Sequence, residues 1–576
     1  MENGTRLNDH LRALYGEPAA GIAMDRLSAL MDAYSGRISQ PGLDRLNQRD
    51  VLLITYGDQI SQVGESPLQT LAEFCKVYLS GVVSGIHILP FFPFSSDDGF
   101  SVIDYLTIDP ALGNWQDIER FRQNFFLMFD AVINHTSVQS DWFQEFLRGD
   151  PRYRDYFISV PDGADLSVVV RPRALPMLTS FEVGGQRHNI WTTFSPDQVD
   201  LNYANPDVLL EMINILLAYA ERGARLIRLD AIAFLWKTYG TTCLHLPQTH
   251  RVIQLIRAVL DRAAPHVLLI TETNVAHTDN LSYFGNGKNE AQLVYNFGLP
   301  PLVLHTLLTG SAEILSDWAS ALSLPSGPVT FFNFLASHDG IGLNPARGIL
   351  SSAQIDALVE GTLKHGGLVS YKNNPDGTTS PYELNINYFD ALSNPGGAEP
   401  EELQADRFMA SQAILLAFIG MPGIYFHSLL GSRGWREGVN LSGHNRTINR
   451  QKCVRVELEA QLGQASSLRH NVFYRYAHLL RLRAAQPAFD PYGNMTVLDA
   501  GPQLFAVLRS TADSPPVVCL QNVTSRSQSI PSPLRLAPGV VSGEVVDLVS
   551  GQVVNSANEL QFGPYQTRWL TGLRPN

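Results

Sequence analysis

Three carboxylates stand where apolar, strand-like runs of this 576-residue chain give way to polar residues. They are Asp230 in ARLIRLDAIAF, Glu272 in LLITETN and Asp339 in FLASHDG. Two carboxyl groups about 5 to 5.5 Å apart can transfer a glycosyl group with retention, one attacking the anomeric carbon while the other protonates the departing oxygen. A single aspartate at a strand end is more often a turn or cap residue than a catalytic one. Three such positions, with Arg228 and His338 beside them, reverse that balance. Arg228 and Asp230 are two residues apart, so in a strand their side chains leave the same face, and that face cannot be ordinary core. A guanidinium at this spacing lowers the pKa of the carboxyl and keeps it ionised, as a nucleophile requires. Asp230 is therefore read as the nucleophile. Glu272 is the acid and base, protonated for one step and ionised for the next, which demands a raised pKa. Asp339 remains to brace the sugar hydroxyls and to support an oxocarbenium-like centre.

Residues so far apart in sequence meet only if the frame gathers strand ends. From Asp50 onward, eight β-rich runs alternate with helical stretches: Val51 to Asp58, Ser84 to Phe92, Phe125 to His135, Ala224 to Asp230, His266 to Thr273, Ala291 to Pro300, Val329 to Asp339 and Gly420 to Phe426. This alternation predicts an α/β fold, a (β/α)₈ TIM barrel with its site at the C-terminal ends of the strands. Residues 1–50 read as a helical extension, because LNDHLRALYG and MDRLSALMDAYSGRI space leucines and methionines at three and four residues. The barrel then spans 51–135 and 203–490. An inserted subdomain at 136–202 follows the third strand, and a second insertion at about 372–450 surrounds the eighth. Insertions of this length are usually functional. From 491 to 576, runs such as MTVLDAGPQLFAVLRS and PPVVCLQNVTS predict an antiparallel β domain.

Composition narrows the partners. Hydrophobic residues at 45% and charged residues at 17% describe a soluble globular chain. A formal net charge of −13 argues against nucleic acid and against an anionic membrane surface, so any phosphate must be held by local arginines or lysines. Cys75, Cys243, Cys453 and Cys519 lack metal-ligand or disulfide-framework spacing, and Cys243 and Cys453 read as unreactive thiols. The start of the chain has no signal-peptide pattern and no run reaches about 18 apolar residues, which points to a cytoplasmic protein. Gly285 and Gly287 lack a dinucleotide-binding context and read as turn residues. Phe91, Phe92 and Phe234 fit either an apolar wall beside a sugar or ordinary core.

DAVINH, ARLIRLDAI, ITETN and FLASHDG resemble the four signatures of the α-amylase superfamily of retaining α-glucosyl enzymes, and the agreement spans the whole barrel. Within it, ITYGDQ, LPFFPFSSDDGFSVIDY, RPRALP, YELNINYFDAL and NRTINR are similar to the sucrose phosphorylase branch. The extension and the SYKNNPDGTTSPYELNINYFDAL loop are more similar to its glucosylglycerate-cleaving members. The resemblance implies that Asp58 and Arg446 grip the far hydroxyls of the glucosyl unit and that His135 and His338 line its pocket. It further implies that Arg173 and Tyr382 contact phosphate. An arginine suits bidentate capture of an oxyanion, although a surface ion pair is the plain alternative for Arg173. Lys372, Asn374 and Arg347 are candidates for the carboxylate of glycerate. Asn134 matches a metal ligand of calcium-bearing amylases, but this branch needs no metal, so neither metal nor cofactor is expected and inorganic phosphate is a co-substrate. Many sucrose phosphorylases carry histidine where this chain has Tyr105. The implied activity is reversible phosphorolysis of 2-O-α-D-glucosylglycerate to α-D-glucose 1-phosphate and D-glycerate by double displacement. The alternatives are phosphorolysis of sucrose, sucrose 6′-phosphate or glucosylglycerol, hydrolysis, and a non-catalytic binding module. The last should have lost one of the three carboxylates, and all are present. A small sugar and phosphate are thus the expected partners, and the sequence allows a homodimer without specifying one.

Overall fold

The computed structural model describes residues 2–39, 42, 45–173, 175–325, 327–374, 377–537 and 543–572. Eight short strands form a closed parallel barrel: β1 (Leu52–Thr55), β2 (Gly85–Ile88), β3 (Phe126–Ala131), β4 (Ala224–Leu229), β5 (Leu268–Thr271), β6 (Leu293–Tyr295), β7 (Thr330–Asn333) and β8 (Met421–Tyr425). Each strand pairs with its neighbour in the chain, and β8 closes on β1 through Leu52 opposite Gly423. The strands read as near-continuous apolar runs because helices cover the outside and side chains fill the inside.

The apolar runs outlast the strands. The third run continues to His135 and the seventh to Asp339, yet barrel pairing ends at Ala131 and Asn333. Beyond those points the chain leaves the barrel ladder but stays buried against the insertions, so hydrophobicity persists without a strand. His135–Ser137, for example, pairs antiparallel with Gln198–Asp200 inside the first insertion. That insertion also carries a hairpin of Leu178–Val183 and Gln186–Trp191, with a small core of Val160, Val169, Met177, Trp191 and Cys243. The buried ammonium of Lys237 lies 2.6 Å from Asp200 Oδ2 and donates to Asn134 Oδ1 at 3.0 Å, tying the insertion to the loop after β3. The cation at Asn134 is thus a side chain of the protein itself.

Between β7 and β8 a helix, Ser352–Lys364, starts at a capping box of Ser351 and Gln354 and leads into a hairpin of Leu368–Asn373 and Thr379–Asn385. The hairpin's second strand pairs with Ile341–Gly342, which places it directly over the segment holding Asp339. Gly340 permits that approach, since a Cβ there would come within 2.5 Å of Leu384 O. Pro375 and Asp376 in this hairpin, and Ala174 in RPRALP, lie outside the described residues.

Helices α1 (Glu2–Tyr15) and α2 (Ala19–Tyr34) pack on α3 (Pro206–Glu221) and α4 (Pro247–Ala263) of the barrel. Leu7, Leu11, Ala20, Ala23, Leu27 and Met31 all join the main core, so the extension has no separate core of its own. At the other end, six antiparallel strands form a C-terminal sheet. Its junction with the barrel rests on two buried arginines that donate to carbonyls: Arg483 to Gln48, Leu416, Gly420 and Phe489, and Arg509 to Ala417, Phe418, Asp490 and Asn494. Burial without a bonded carboxylate brings their pKa values down to about 9 and about 10. Among the described residues no helix is long and apolar enough to cross a membrane. All four cysteines are buried and unpaired with one another.

Because Leu27 is fully buried between α2 and the barrel, Leu27→Ala is expected to lower stability by about 2–5 kcal/mol. Urea unfolding followed by circular dichroism reads this change. Substrate affinity should stay unchanged.

Candidate active site

A line of buried polar groups crosses the C-terminal mouth of the barrel. His87 on β2 bonds to Asp130 on β3 at 2.6 Å, and Asp130 forms a short ion pair with Arg228 on β4. The register sets Arg228 directly opposite Asp130 on one side and Ile270 on the other. Its Nη1 donates to Asp230 Oδ1 at 2.8 Å, and its Nη2 lies 3.8 Å from Glu272 Oε2. One guanidinium, 2% exposed, therefore faces three carboxyl groups. Asp230 and Glu272 each sit one residue past the end of their strand. Immediately after Asp230 the chain bends through Ala231, at φ 48° and ψ 33°. That left-handed backbone is costly for alanine. It points the Ala231 N–H at Glu272 Oε2, 3.0 Å away.

Environment separates the carboxyls. Burial, reinforced by Asp230 and Asp339, lifts Glu272 to about 7 against the pull of Arg228. Asp130 is equally buried, but Arg228 and His87 hold it down at about 2. Burial also opposes ionisation of Asp339, where Arg446, His338, Arg450 and Arg228 together outweigh it and keep the carboxyl well below its ordinary range. For Asp230 the balance tips the other way. Arg228 lowers its pKa as the spacing implies, yet burial is the larger influence and the net shift is upward. Expecting the arginine alone to decide left out the desolvation of a closed barrel.

Asp339 is six residues beyond β7 and is held from elsewhere. Arg446 Nη1 lies 2.6 Å from Asp339 Oδ1, while its Nε and Nη2 donate to Glu383 at 3.0 and 2.7 Å. Glu383 also accepts from the Gly340 N–H, so the hairpin, the segment after Asp339 and the NRTINR turn lock together. His338 stacks on Phe100 with ring centroids 4.7 Å apart, and burial drives its pKa to about 3, leaving it neutral. His135 is likewise lowered by burial and donates from Nε2 to Phe100 O at 2.8 Å.

These groups line a cavity of about 290 Å³. Asp230, His135 and His338 form its buried floor, with Glu272 and Asp339 beside them, their side chains mostly buried. Phe234, Arg173, Tyr382, Lys372, Arg347 and Arg446 complete the wall. Phe234 meets Phe194 edge-on in that wall, whereas Phe91 and Phe92 pack on Phe129 and Tyr219 in the core, so the aromatics divide between the two readings. Lys372 is half-buried, and desolvation followed by the Arg347 charge lowers its pKa.

Two expected residues are elsewhere. Asp58 does not line the cavity; it is well exposed and paired with Lys452 beside β1. Asn374 closes the hairpin turn on Thr378 and Ser380, away from the cavity. Tyr105 bonds the carbonyls of Val132 and His135 behind the pocket floor. In place of Asp58 the structure brings in Asp97, at φ 53°, whose carboxylate accepts from Arg173 Nη2 at 2.8 Å. Asp98, at φ 48°, pairs with Arg450. Burial opposes ionisation of Asp97, but Arg173, Arg446 and Arg450 carry it far below the carboxylate range. The visible signal was the acidic DDG turn in SSDDGF. Glu383 and Asp130 were also missed, although both lie inside quoted motifs, YELN and DAVINH.

A family model described as the α-amylase catalytic domain matches residues 78–320. The glucosylglycerate phosphorylase of Spirochaeta thermophila is 49% identical, covering all of both chains. The chain belongs to the glucosylglycerate phosphorylase family. A second member, from Allomeiothermus silvanus, is also 49% identical over 98% of this chain and 97% of its own. The crystal structure of sucrose 6F-phosphate phosphorylase from Thermoanaerobacter thermosaccharolyticum superposes with a TM-score of 0.71 at 26% identity, covering 89% of this chain and 97% of that one. Glucosylglycerate phosphorylases thus share with a sucrose 6F-phosphate phosphorylase the frame described above.

With Glu272 at about 7, the fraction able to donate a proton falls as pH rises through that value. The rate of the step that cleaves the donor should therefore decline above about pH 7, and Glu272→Gln should abolish that limb along with most activity. Pre-steady-state release of the first product across pH 5–9 checks both.

Proposed function

We propose that this protein is a retaining glycoside phosphorylase that interconverts 2-O-α-D-glucosylglycerate and phosphate with α-D-glucose 1-phosphate and D-glycerate. The observation that carries the reading is the full-length similarity to glucosylglycerate phosphorylases. The cavity adds a candidate nucleophile and acid–base carboxyl, Asp230 and Glu272, and a wall whose cationic side chains include Arg173, Arg347 and Lys372.

In the first displacement an Asp230 oxygen attacks the anomeric carbon while Glu272 gives its proton to the departing glycerate oxygen. Arg228 holds the nucleophile in line, and Asp339, fixed by Arg446, takes the ring hydroxyls and faces the developing positive charge. Asp97 and Arg446 serve the far end of the glucosyl unit, Asp97 taking the role that the family resemblance implies for Asp58. In the second displacement a phosphate oxygen attacks the glucosyl-enzyme ester from the side glycerate left, and Glu272 recovers a proton. Arg173 and Tyr382 hold that phosphate. Arg347 and Lys372 hold the glycerate carboxylate, because no carboxylate pairs with Lys372 among the described contacts and the charge that shifts its pKa is that of another cation, Arg347. Apart from Arg228, which is buried beside Asp230, all of these groups line one cavity.

Release of glucose 1-phosphate from glucosylglycerate and from sucrose, each with and without phosphate, tests the acceptor. Phosphate-dependent release chiefly from glucosylglycerate is expected. Release chiefly from sucrose would retain the barrel chemistry and reject the acceptor, and free glucose regardless of phosphate would indicate a hydrolase. Asp230→Ala should cut turnover at least about a thousandfold with the circular dichroism spectrum unchanged. In the synthetic direction, Lys372→Met should raise the KM for glycerate about tenfold, a loss of about 1.4 kcal/mol.

A further inference from the structure

A second group of cations lies on the helical extension, apart from the barrel mouth. Between α1, α4 and the loop at 286–289 is an open cleft of about 640 Å³, lined by Arg6, Asp9, His10, Arg251, Gln254 and Lys288 among others. His10 is only 6% exposed. Its Nδ1 lies 3.2 Å from Arg251 Nη1. A guanidinium can only donate, so Nδ1 must accept, and the imidazole is neutral with its proton on Nε2. Burial first, then the charges of Arg251 and Arg6, lower the His10 pKa to about 4, which agrees with that tautomer.

The Nε2–H is therefore a buried donor, and it has no acceptor among the described residues. Arg6 Nη2 is a second buried donor in the same condition. Nη1 of Arg6 has only a 3.7 Å approach to Asp261, which is itself bonded to Arg257 at 2.6 Å. Gln254 spends its amide hydrogens on Glu290 at 2.9 Å. Asp9 is the one carboxylate of the lining, and it is exposed. Each buried donor left unmade costs about 1–3 kcal/mol. A cleft with two such donors, together with Arg251 and Lys288, carries more positive than negative charge, its one lining carboxylate being Asp9.

We propose that this cleft binds a phosphate group. A tetrahedral oxyanion offers three or more acceptor oxygens in different directions, which suits donors converging from α1, α4 and the loop at 286–289 better than the two coplanar oxygens of a carboxylate. Inorganic phosphate and the phosphate of a monoester present the same chemistry, and the experiment separates them.

Equilibrium dialysis of the full-length protein against inorganic phosphate, and separately against glycerol 1-phosphate, counts bound equivalents in the wild type, Lys288→Met and Arg251→Met. The barrel mouth is common to all three proteins, so it cancels. The expected result is a loss of one bound equivalent, or an affinity at that site about tenfold weaker, in both variants with unchanged turnover. Loss seen with inorganic phosphate alone identifies a site for the free ion, and loss with both ligands identifies one that takes esters. Lys288 is exposed, so its substitution leaves the core intact and keeps the measurement valid if Arg251→Met fails to fold. Equal binding of both ligands by wild type and Lys288→Met would overturn the proposal.

Discussion

Everything at the barrel mouth depends on one buried guanidinium. Arg228 is nearly inaccessible, and taking a cation out of water is tolerable only with carboxylates around it. The contacts are graded. Asp130 and Asp230 touch the same nitrogen, while Glu272 stands off at 3.8 Å. The group with the weakest cation contact and full burial is the one that holds its proton to about pH 7. The arginine thus anchors Asp230, while burial, against the pull of the same arginine, keeps the proton on Glu272. Removing the arginine would leave buried carboxyls without their counter-charge, a loss of about 3–5 kcal/mol, so its positioning and structural roles are inseparable.

The same economy appears in the backbone. Ala231, Asp97 and Asp98 all occupy left-handed conformations that cost of order 1–3 kcal/mol each for non-glycine residues. Each is restrained by a polar contact from a distant segment: Ala231 by Glu272, Asp97 by Arg173 and Asp98 by Arg450. The strain is stored where side chains must be aimed, and the restraining groups belong to β5, the first insertion and the turn after β8. The insertions are therefore part of the site's rigidity as much as of its specificity.

What could be read in advance follows from this division. The eight barrel strands, the helical extension and the carboxylates at Asp230, Glu272 and Asp339 were legible because periodicity and strand ends are local features of the chain. Arg173, Tyr382 and Arg446, expected from motif resemblance, line the cavity, as do Lys372 and Arg347, which were candidates for a carboxylate contact together with Asn374. The errors are non-local. Asp58 follows an apolar strand just as Asp230 does, but its strand end meets Lys452 and solvent. Asp97 looks like an ordinary turn residue, and only the arrival of Arg173 from 76 positions away makes it part of the pocket. Glu383 is similar, buried by an arginine 63 positions on. Charge pairs between insertions carry no periodic signal, so sequence gives their members without their partners.

The contrast between floor and wall bears on how one frame can serve several acceptors. Asp230, His135 and His338 are fixed by barrel strands and by bonds to Arg228, Phe100 and Arg450, so the glucosyl end of the cavity has little freedom to change. Lys372 and Tyr382 instead sit on a hairpin whose only ladder partner outside itself is the two-residue strand Ile341–Gly342. A substitution at Lys372 alters the charge of the cavity wall without touching Glu383, through which the same hairpin holds Arg446 and so Asp339. A fructosyl unit offers hydroxyls where glycerate offers a carboxylate, and under the proposed function two cations of the cavity wall, Lys372 having no paired carboxylate among the described residues, would favour the second over the first. On that proposal discrimination would rest on desolvated charge, since an uncharged acceptor would leave the Arg347 charge acting on Lys372 unneutralised. Rejection of the wrong acceptor is thereby built from the same repulsion that attracts the right one.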